Sequence, residues 1–122
     1  LNEFEQNTIQ HDKVRLKIIL SNLISNAIKF QKKIPGHQPV IKITSKRQST
    51  KTIIRIEDNG EGIKPELSPK IFEMFYRASD RATGSGLGLY IARESAIKIG
   101  AQISHHSEYG KGSVFTVEIP EI

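Results

Sequence analysis

Two periodicities alternate along the chain, and the changes between them divide it into elements. Leu16, Leu20, Leu23 and Ala27 recur at helical spacing and form one narrow apolar stripe. The stripe predicts a helix over about 13–31, capped by Asp12 and ended by Lys32-Lys33 and Pro35-Gly36. Val40-Ile-Lys-Ile-Thr-Ser45 and Thr52-Ile-Ile-Arg-Ile-Glu57 are rich in β-branched residues, and a polar turn near 48–51 pairs them as adjacent strands. Between 59 and 85, Gly60, Gly62, Pro65, Pro69 and Gly84 surround a short helical stretch, Lys70-Ile-Phe-Glu-Met-Phe75, so this region reads mostly as loop. A loop of that length in a small domain points to function. A helix over about 86–99 stops at Gly100, and a hairpin of 102–107 with 113–119 closes the chain around Tyr109-Gly-Lys-Gly112. Residues 4–10 read as one more edge strand.

With 122 residues, 37% hydrophobic and 25% charged, the chain is expected to be a single domain around one core. The net charge of +5 raises the question of nucleic acid. Lys and Arg are spread along the chain, with three Tyr, five Phe and no arginine-rich run, which argues against that partner and for a surface biased towards phosphate ligands. No apolar run approaches a membrane span and the first residues lack a signal-peptide pattern, so a cytoplasmic location without membrane insertion is expected. The absence of Cys excludes disulfides and thiolate metal sites. The start at Leu1 suggests a piece of a longer protein, whose own membrane anchoring is left open.

Three segments carry candidate chemistry. Asn22, Asn26 and Lys29, spaced i, i+4 and i+7, fall on one helix face, roughly opposite the stripe, with Ile18 and Ile28 around them. Mid-helix Asn is unfavourable, because its amide competes for backbone groups. Its carbonyl oxygen is a hard neutral ligand for Mg²⁺, and Lys29 would neutralise phosphate. In Asp58-Asn-Gly-Glu-Gly-Ile63 a carboxylate ends a strand, and two glycines let the backbone approach a flat ligand; one carboxylate accepts a proton from an exocyclic amine such as that of adenine. The same residues also suit an ordinary turn. Gly84-Ser-Gly-Leu-Gly-Leu89 opens a helix and would direct N–H groups at phosphate oxygens, without matching either the dinucleotide fingerprint or a P-loop.

In this order the segments resemble the ATP-binding catalytic domain of sensor histidine kinases, in the superfamily that also holds DNA gyrase, Hsp90 and MutL. Asn22 to Phe30 is similar to that family's N box, Asp58 to Ile63 to its first glycine box, Ile71-Phe-Glu-Met-Phe-Tyr-Arg77 to its F box and Gly84 to Leu89 to its second glycine box. The resemblance covers nearly the whole chain and implies an α/β two-layer sandwich with the Bergerat ATP-binding fold. Its mixed, mostly antiparallel sheet would have about five strands under three helices.

Carried over by position, the resemblance makes Asn26 the Mg²⁺ ligand, Asn22 its assistant at metal and phosphates, and Lys29 a phosphate contact. Phe30 would pack against the base. Asp58 would bind adenine N6, with Gly60, Gly62 and Ile63 shaping the pocket and Ser113 joining a water network there. Residues near 64–85 would form a lid in which Arg77 contacts phosphate, and Gly84, Gly86, Leu87, Gly88 and Leu89 would close over the triphosphate. Phe72 and Phe75 would anchor the lid to the core. Ser79, Thr83 and Ser85 beside the glycines suggest that the lid moves. Relatives that hydrolyse ATP carry a Glu four residues before the metal-binding Asn, and here that place is Asn22, which favours transfer to a better nucleophile over hydrolysis.

That nucleophile would be a histidine attacking the γ-phosphorus. None of His11, His37, His105 and His106 fits: His11 reads as a helix-start residue, His37 as loop, and the adjacent pair as strand residues facing opposite ways. The implied partners are ATP, a separate dimerisation domain of the same kinase that bears the acceptor His, and a response-regulator receiver domain. This piece alone is expected to be a monomer that does not autophosphorylate. A serine protein kinase of the anti-sigma-factor type and a degenerate nucleotide-binding module are the alternatives.

Overall fold

The computed structural model describes residues 3–73 and 87–120. In chain order these form α1 (Glu3–Lys29), β1 (Ile41–Gln48), β2 (Lys51–Asp58), a 3-10 helix (Pro65–Lys70), α2 (Gly88–Lys98), β3 (Gln102–Glu108) and β4 (Gly112–Pro120). The strands make one sheet of order β1-β2-β4-β3, antiparallel throughout. Helices α1 and α2 lie side by side on one face, α1 over β2 and α2 over β3.

The strand registers arrange the helix-facing side chains in rows across the sheet. One row reads Ser45, Ile54, Val117, Ile103, and the next Ile43, Ile56, Phe115, His105. A third, at the end of the sheet, is Ile41, Asp58, Ser113, Ser107. From the first two, Ile54, Val117, Ile56 and Phe115 meet Ile19 and Leu23 of α1 and Ala92 and Ala96 of α2 in the core, whereas Ser45 and Ile43 on edge strand β1 are exposed. Small residues one turn apart on α2 let it approach α1 closely. The third row turns polar, and its position next to the core makes it the place for chemistry.

The opposite face alternates out to solvent, as an antiparallel sheet covered on one side requires. Arg55 pairs there with Glu57, and Lys51 with Glu118. Edge strand β1 carries Lys42, Lys46 and Arg47, all exposed, which discourages pairing with another chain.

An aromatic cluster ties the region after β2 to this core. The His105 ring stacks on Phe115 with centroids 5.6 Å apart, and Phe72 meets both rings edge-on at 6.1 and 6.3 Å. Ser68 hydrogen-bonds His105 Nε2, and Ile71 is buried. Phe72 and Leu67 thus pack on the core beside Ile71, while Pro65, Glu66, Pro69 and Lys70 of the stretch expected as a lid are exposed. Phe75, Ser79, Thr83 and Ser85 lie outside the described residues. Burial, and secondarily the neighbouring His106, hold the His105 imidazole below its ordinary pKa. His105 faces inward and His106 outward, as strand alternation predicts.

Several boundaries differ from the sequence reading. Residues 4–10 are helix, not an edge strand, and Asp12 and His11 lie within α1 and not at its start. No Pro or Gly interrupts 3–29, so the helical stripe has nothing to stop it upstream of Asp12. Ile19, absent from the expected stripe, is fully buried, whereas Leu16 and Leu20 only flank the core. A 3-10 turn forms at Pro65–Lys70, where loop was expected and where Pro65 pre-sets the first helical position; of the helical stretch expected over 70–75, residues 71–73 are turn and bend, and 74–75 lie outside the described residues. Among the described residues the sheet has four antiparallel strands where about five mixed ones were expected, and two α-helices with one 3-10 helix stand for the three helices. Helix α2 starts at Gly88 and ends in a Schellman arrangement, with Ala101 N–H on Ala96 O at 2.9 Å and Gly100 N–H on Ile97 O at 3.2 Å.

Candidate functional site

The polar row is completed by the turn that follows β2. The Asp58 carboxylate accepts the Gly60 N–H at 2.9 Å and the N–H of its cross-strand neighbour Ser113. Burial raises the pKa of this half-buried acid above its ordinary 3.8, and the two N–H groups partly oppose the rise. The side chain is thus fixed before any ligand arrives.

Close backbone packing explains why this turn is built of glycines. A Cβ on Gly60 would lie 2.3 Å from the carbonyl oxygen of Phe30, the same oxygen that accepts the Glu61 N–H at 2.9 Å. The end of α1 is thereby clamped to the turn. Gly62, at φ +73°, brings its Cα against the Glu108 carbonyl, where a Cβ would approach to 2.3 Å. From the other side Gly110 N–H bonds Glu61 O at 2.7 Å, and Gly112 seats against the Asp58 carbonyl.

Two residues overlooked as functional hold this assembly in place. Asn59 accepts the Val40 N–H on Oδ1 at 2.8 Å and donates from Nδ2 to Gln38 O at 3.0 Å, pinning the approach to β1. Ser107 Oγ accepts the Ile63 N–H at 2.7 Å and lies 2.8 Å from Ser113 Oγ. Asn59 gave only a turn signal. Ser107 was findable as the inward residue of the last hairpin, six before Ser113.

Across from the turn, α1 presents its amides. Asn22 Nδ2 is tied back to Ile18 O at 2.9 Å, and a Cβ on Gly88 would lie 3.2 Å from Asn22 Oδ1. The Asn22 oxygen therefore faces the start of α2. Asn26, half-buried, follows one turn later, and Phe30 is half-buried at the clamp. Lys29 is exposed in the last turn of α1, where its charge also suits the helix C-terminus. Leu87 precedes α2, Leu89 packs on the core, and the first turn of α2 has neither a side-chain cap nor an acidic residue. Its N–H groups suit an anion. Arg77, Gly84 and Gly86 lie outside the described residues.

The donor set suits Mg²⁺ of one kind only. No cluster of three or more His, Cys, Asp or Glu exists among the described residues. The amide oxygens of Asn22 and Asn26 would hold a hard cation that takes its remaining ligands from phosphates and water. The narrow space at Gly88, which a Cβ would fill, leaves the Asn22 oxygen uncovered.

The model of the histidine kinase-, DNA gyrase B- and HSP90-like ATPases matches residues 11–122. The chain belongs to this family. It is similar to the signal transduction histidine-protein kinase AfsQ2 of Streptomyces coelicolor, at 41% identity over 113 residues, 90% of this chain and 20% of that protein. The sensor protein SrrB of Staphylococcus aureus is 36% identical over 91% of this chain and 19% of its own length. The chain thus spans about a fifth of these curated relatives. Among solved structures, the catalytic domain of histidine kinase ThkA superposes with a TM-score of 0.72 at 36% identity, covering 90% of this chain and 68% of that one. The mycobacterial sensor histidine kinase MprB gives 0.74 at 26% identity, covering 88% and 72%. The two-layer fold implied by the sequence motifs holds, and it is the fold of histidine kinase catalytic domains. No described helix is long and apolar enough to cross a membrane.

The raised Asp58 pKa gives a stability prediction. The native state holds this proton more tightly than the unfolded chain, so Asp58 lowers stability progressively as pH rises from about 3.8 through its native pKa. Above that pH the cost is constant. Asp58→Asn carries no such titration, so its melting temperature relative to the parent chain should rise between pH 3.5 and 7. A difference that stays flat or falls contradicts the burial argument.

Proposed function

We propose that this chain binds Mg-ATP between α1, the Asp58–Ile63 turn and the start of α2, and donates the γ-phosphate to a histidine on a separate dimerisation domain of the same sensor kinase. The observation that carries this reading is the pre-fixed, half-buried Asp58 carboxylate at one end of a backbone clamp whose other end is α1, the helix bearing Asn22 and Asn26. Asp58 accepts the N6 amine of adenine, while Gly60, Gly62 and Ile63 shape the base pocket and Ser113 joins its polar edge. Phe30 packs beside the base. Asn26, with help from Asn22, holds Mg²⁺, which when bound neutralises phosphate charge. Lys29 and the N–H groups opening α2 at Leu87, Gly88 and Leu89 orient the triphosphate, and Arg77, Gly84 and Gly86 contribute from outside the described residues.

In the transfer itself an imidazole nitrogen bonds to the γ-phosphorus as the bond to the β–γ bridging oxygen breaks, leaving ADP and phosphohistidine. The protein supplies position and electrostatics. Asn22 stands where a base for water would be needed, and an amide does not take a proton usefully, so the site favours the imidazole over hydrolysis. The phosphate passes onward to a response-regulator receiver domain.

The test is phosphotransfer in trans. The chain, mixed with the acceptor-histidine domain of its parent kinase and γ-labelled ATP, should label that domain on histidine, and the chain alone should remain unlabelled. Labelling on serine would favour the serine-kinase alternative. Asn26→Ala should bind ATP equally with and without Mg²⁺, and its transfer rate should fall by at least the roughly 10–100-fold that loss of an outer metal partner costs. Retained Mg²⁺ enhancement in calorimetry removes Asn26 from the metal site.

A further inference from the structure

Ser107 lies in none of the nucleotide motifs. Its hydroxyl has three polar neighbours: the Ile63 N–H at 2.7 Å, the Gly112 carbonyl at 3.2 Å and Ser113 Oγ at 2.8 Å. A hydroxyl has one proton to give and two lone pairs to receive with. The Ile63 N–H takes one lone pair, and the Gly112 carbonyl, which has no proton, takes the donation. Only one arrangement then uses all three contacts. Ser113 must give its own proton to Ser107.

From this proton order we infer that Ser107 is a specificity-determining positioning residue, which turns the Ser113 hydroxyl so that it meets the base as an acceptor only. Ser113 is buried and sits beside Asp58 in the same cross-strand row, so two acceptors, one charged and one neutral, face the same edge. Such an edge selects a base with an exocyclic amine, directly or through one water, and rejects a carbonyl in its place, because a buried pair of acceptors left without a donor is costly. Ser107 also fixes the turn at Ile63, so the residue that orders the protons holds the pocket wall as well. The inference rests on the adenine reading of the Asp58 turn.

The experiment compares ATP with purine riboside triphosphate, which lacks only the N6 amine, by calorimetry on the chain and its variants. The parent chain should prefer ATP. Ser107→Ala should narrow that preference three- to tenfold, the size of one neutral hydrogen bond, while binding of the analogue changes less than about twofold. Ser107→Thr, which keeps the hydroxyl, should retain the preference, and Ser107→Cys, close in size but a weak acceptor for the Ser113 proton, should lose it. The Thr and Cys pair carries the test if the Ala variant does not fold. Equal losses for both nucleotides, or no loss, overturn the inference and leave Ser107 structural. A parent chain that binds both nucleotides equally overturns the adenine reading and this inference with it.

Discussion

Asp58→Ala should abolish measurable binding of adenine nucleotides, and it is the largest functional effect expected of any single side chain here. The carboxylate is half-buried and already held by the Gly60 and Ser113 N–H groups, so no reorganisation is needed when a base arrives. A hydrogen bond to a charged acceptor contributes about 1.5–3 kcal/mol, roughly a 10- to 150-fold change in Kd by itself. Truncation also releases the two N–H groups that shape the turn, and together these losses take binding below detection. Asp58→Asn separates the two effects. It keeps the shape but replaces an acceptor with a donor towards the base edge, so it too should lose ATP while remaining folded. ATP affinity retained within about threefold in the Asn variant would remove Asp58 from the base pocket.

Gly112→Ala should be the most destabilising single methyl in the described chain. Its φ of +140° is rarely adopted by residues with a side chain, and a Cβ there would lie 2.0 Å from the Asp58 carbonyl oxygen and 2.9 Å from its carbon. Both obstacles are backbone within a β ladder, so neither swings aside. Backbone strain alone costs about 1–3 kcal/mol, and the steric conflict brings the total to the exceptional range above about 4 kcal/mol. Gly36 and Gly110 provide the control. Both have positive φ, but nothing lies within 4 Å of a Cβ at either, so alanine there should cost only the conformational part. Urea melts of the three variants that give equal losses would show that the interlock between β4 and the Asp58 turn contributes nothing.

The elements were legible where one residue pattern had one physical meaning. The β-branched runs of β1 and β2 and the final hairpin gave strands within a few residues, because alternation of inward and outward positions survives in the sequence. The interior of α1 was legible for the same reason, but its start was not. Asp12 is a good cap only if the chain before it is not helical, and nothing local at 3–11 decides that. The 3-10 turn at Pro65–Lys70 was not legible because Pro65 and Pro69 signal a loop as readily as the first turn of a helix.

At the site, the motifs pointed to Asn22, Asn26, Asp58 and the glycines, and the fold sets the end of α1 against the Asp58 turn and Asn22 against the start of α2. What the sequence hid was the reason for each glycine. The contacts that forbid a Cβ at Gly60, Gly62 and Gly112 come from residues 30, 108 and 58, brought close only by folding. Asn59 and Ser107 were hidden in the same way, since a polar side chain announces neither its partner nor which of its protons is given away.

The central claim is that the Asp58 turn and the Asn22–Asn26 face form one Mg-ATP site. The most direct measurement is a calorimetric titration of the chain with a non-hydrolysable ATP analogue, with and without Mg²⁺, beside the same titration with GTP. Saturable binding of the ATP analogue, strengthened by Mg²⁺ and absent or far weaker for GTP, is the predicted result. Folded protein that binds neither nucleotide, or binds both alike, would contradict it.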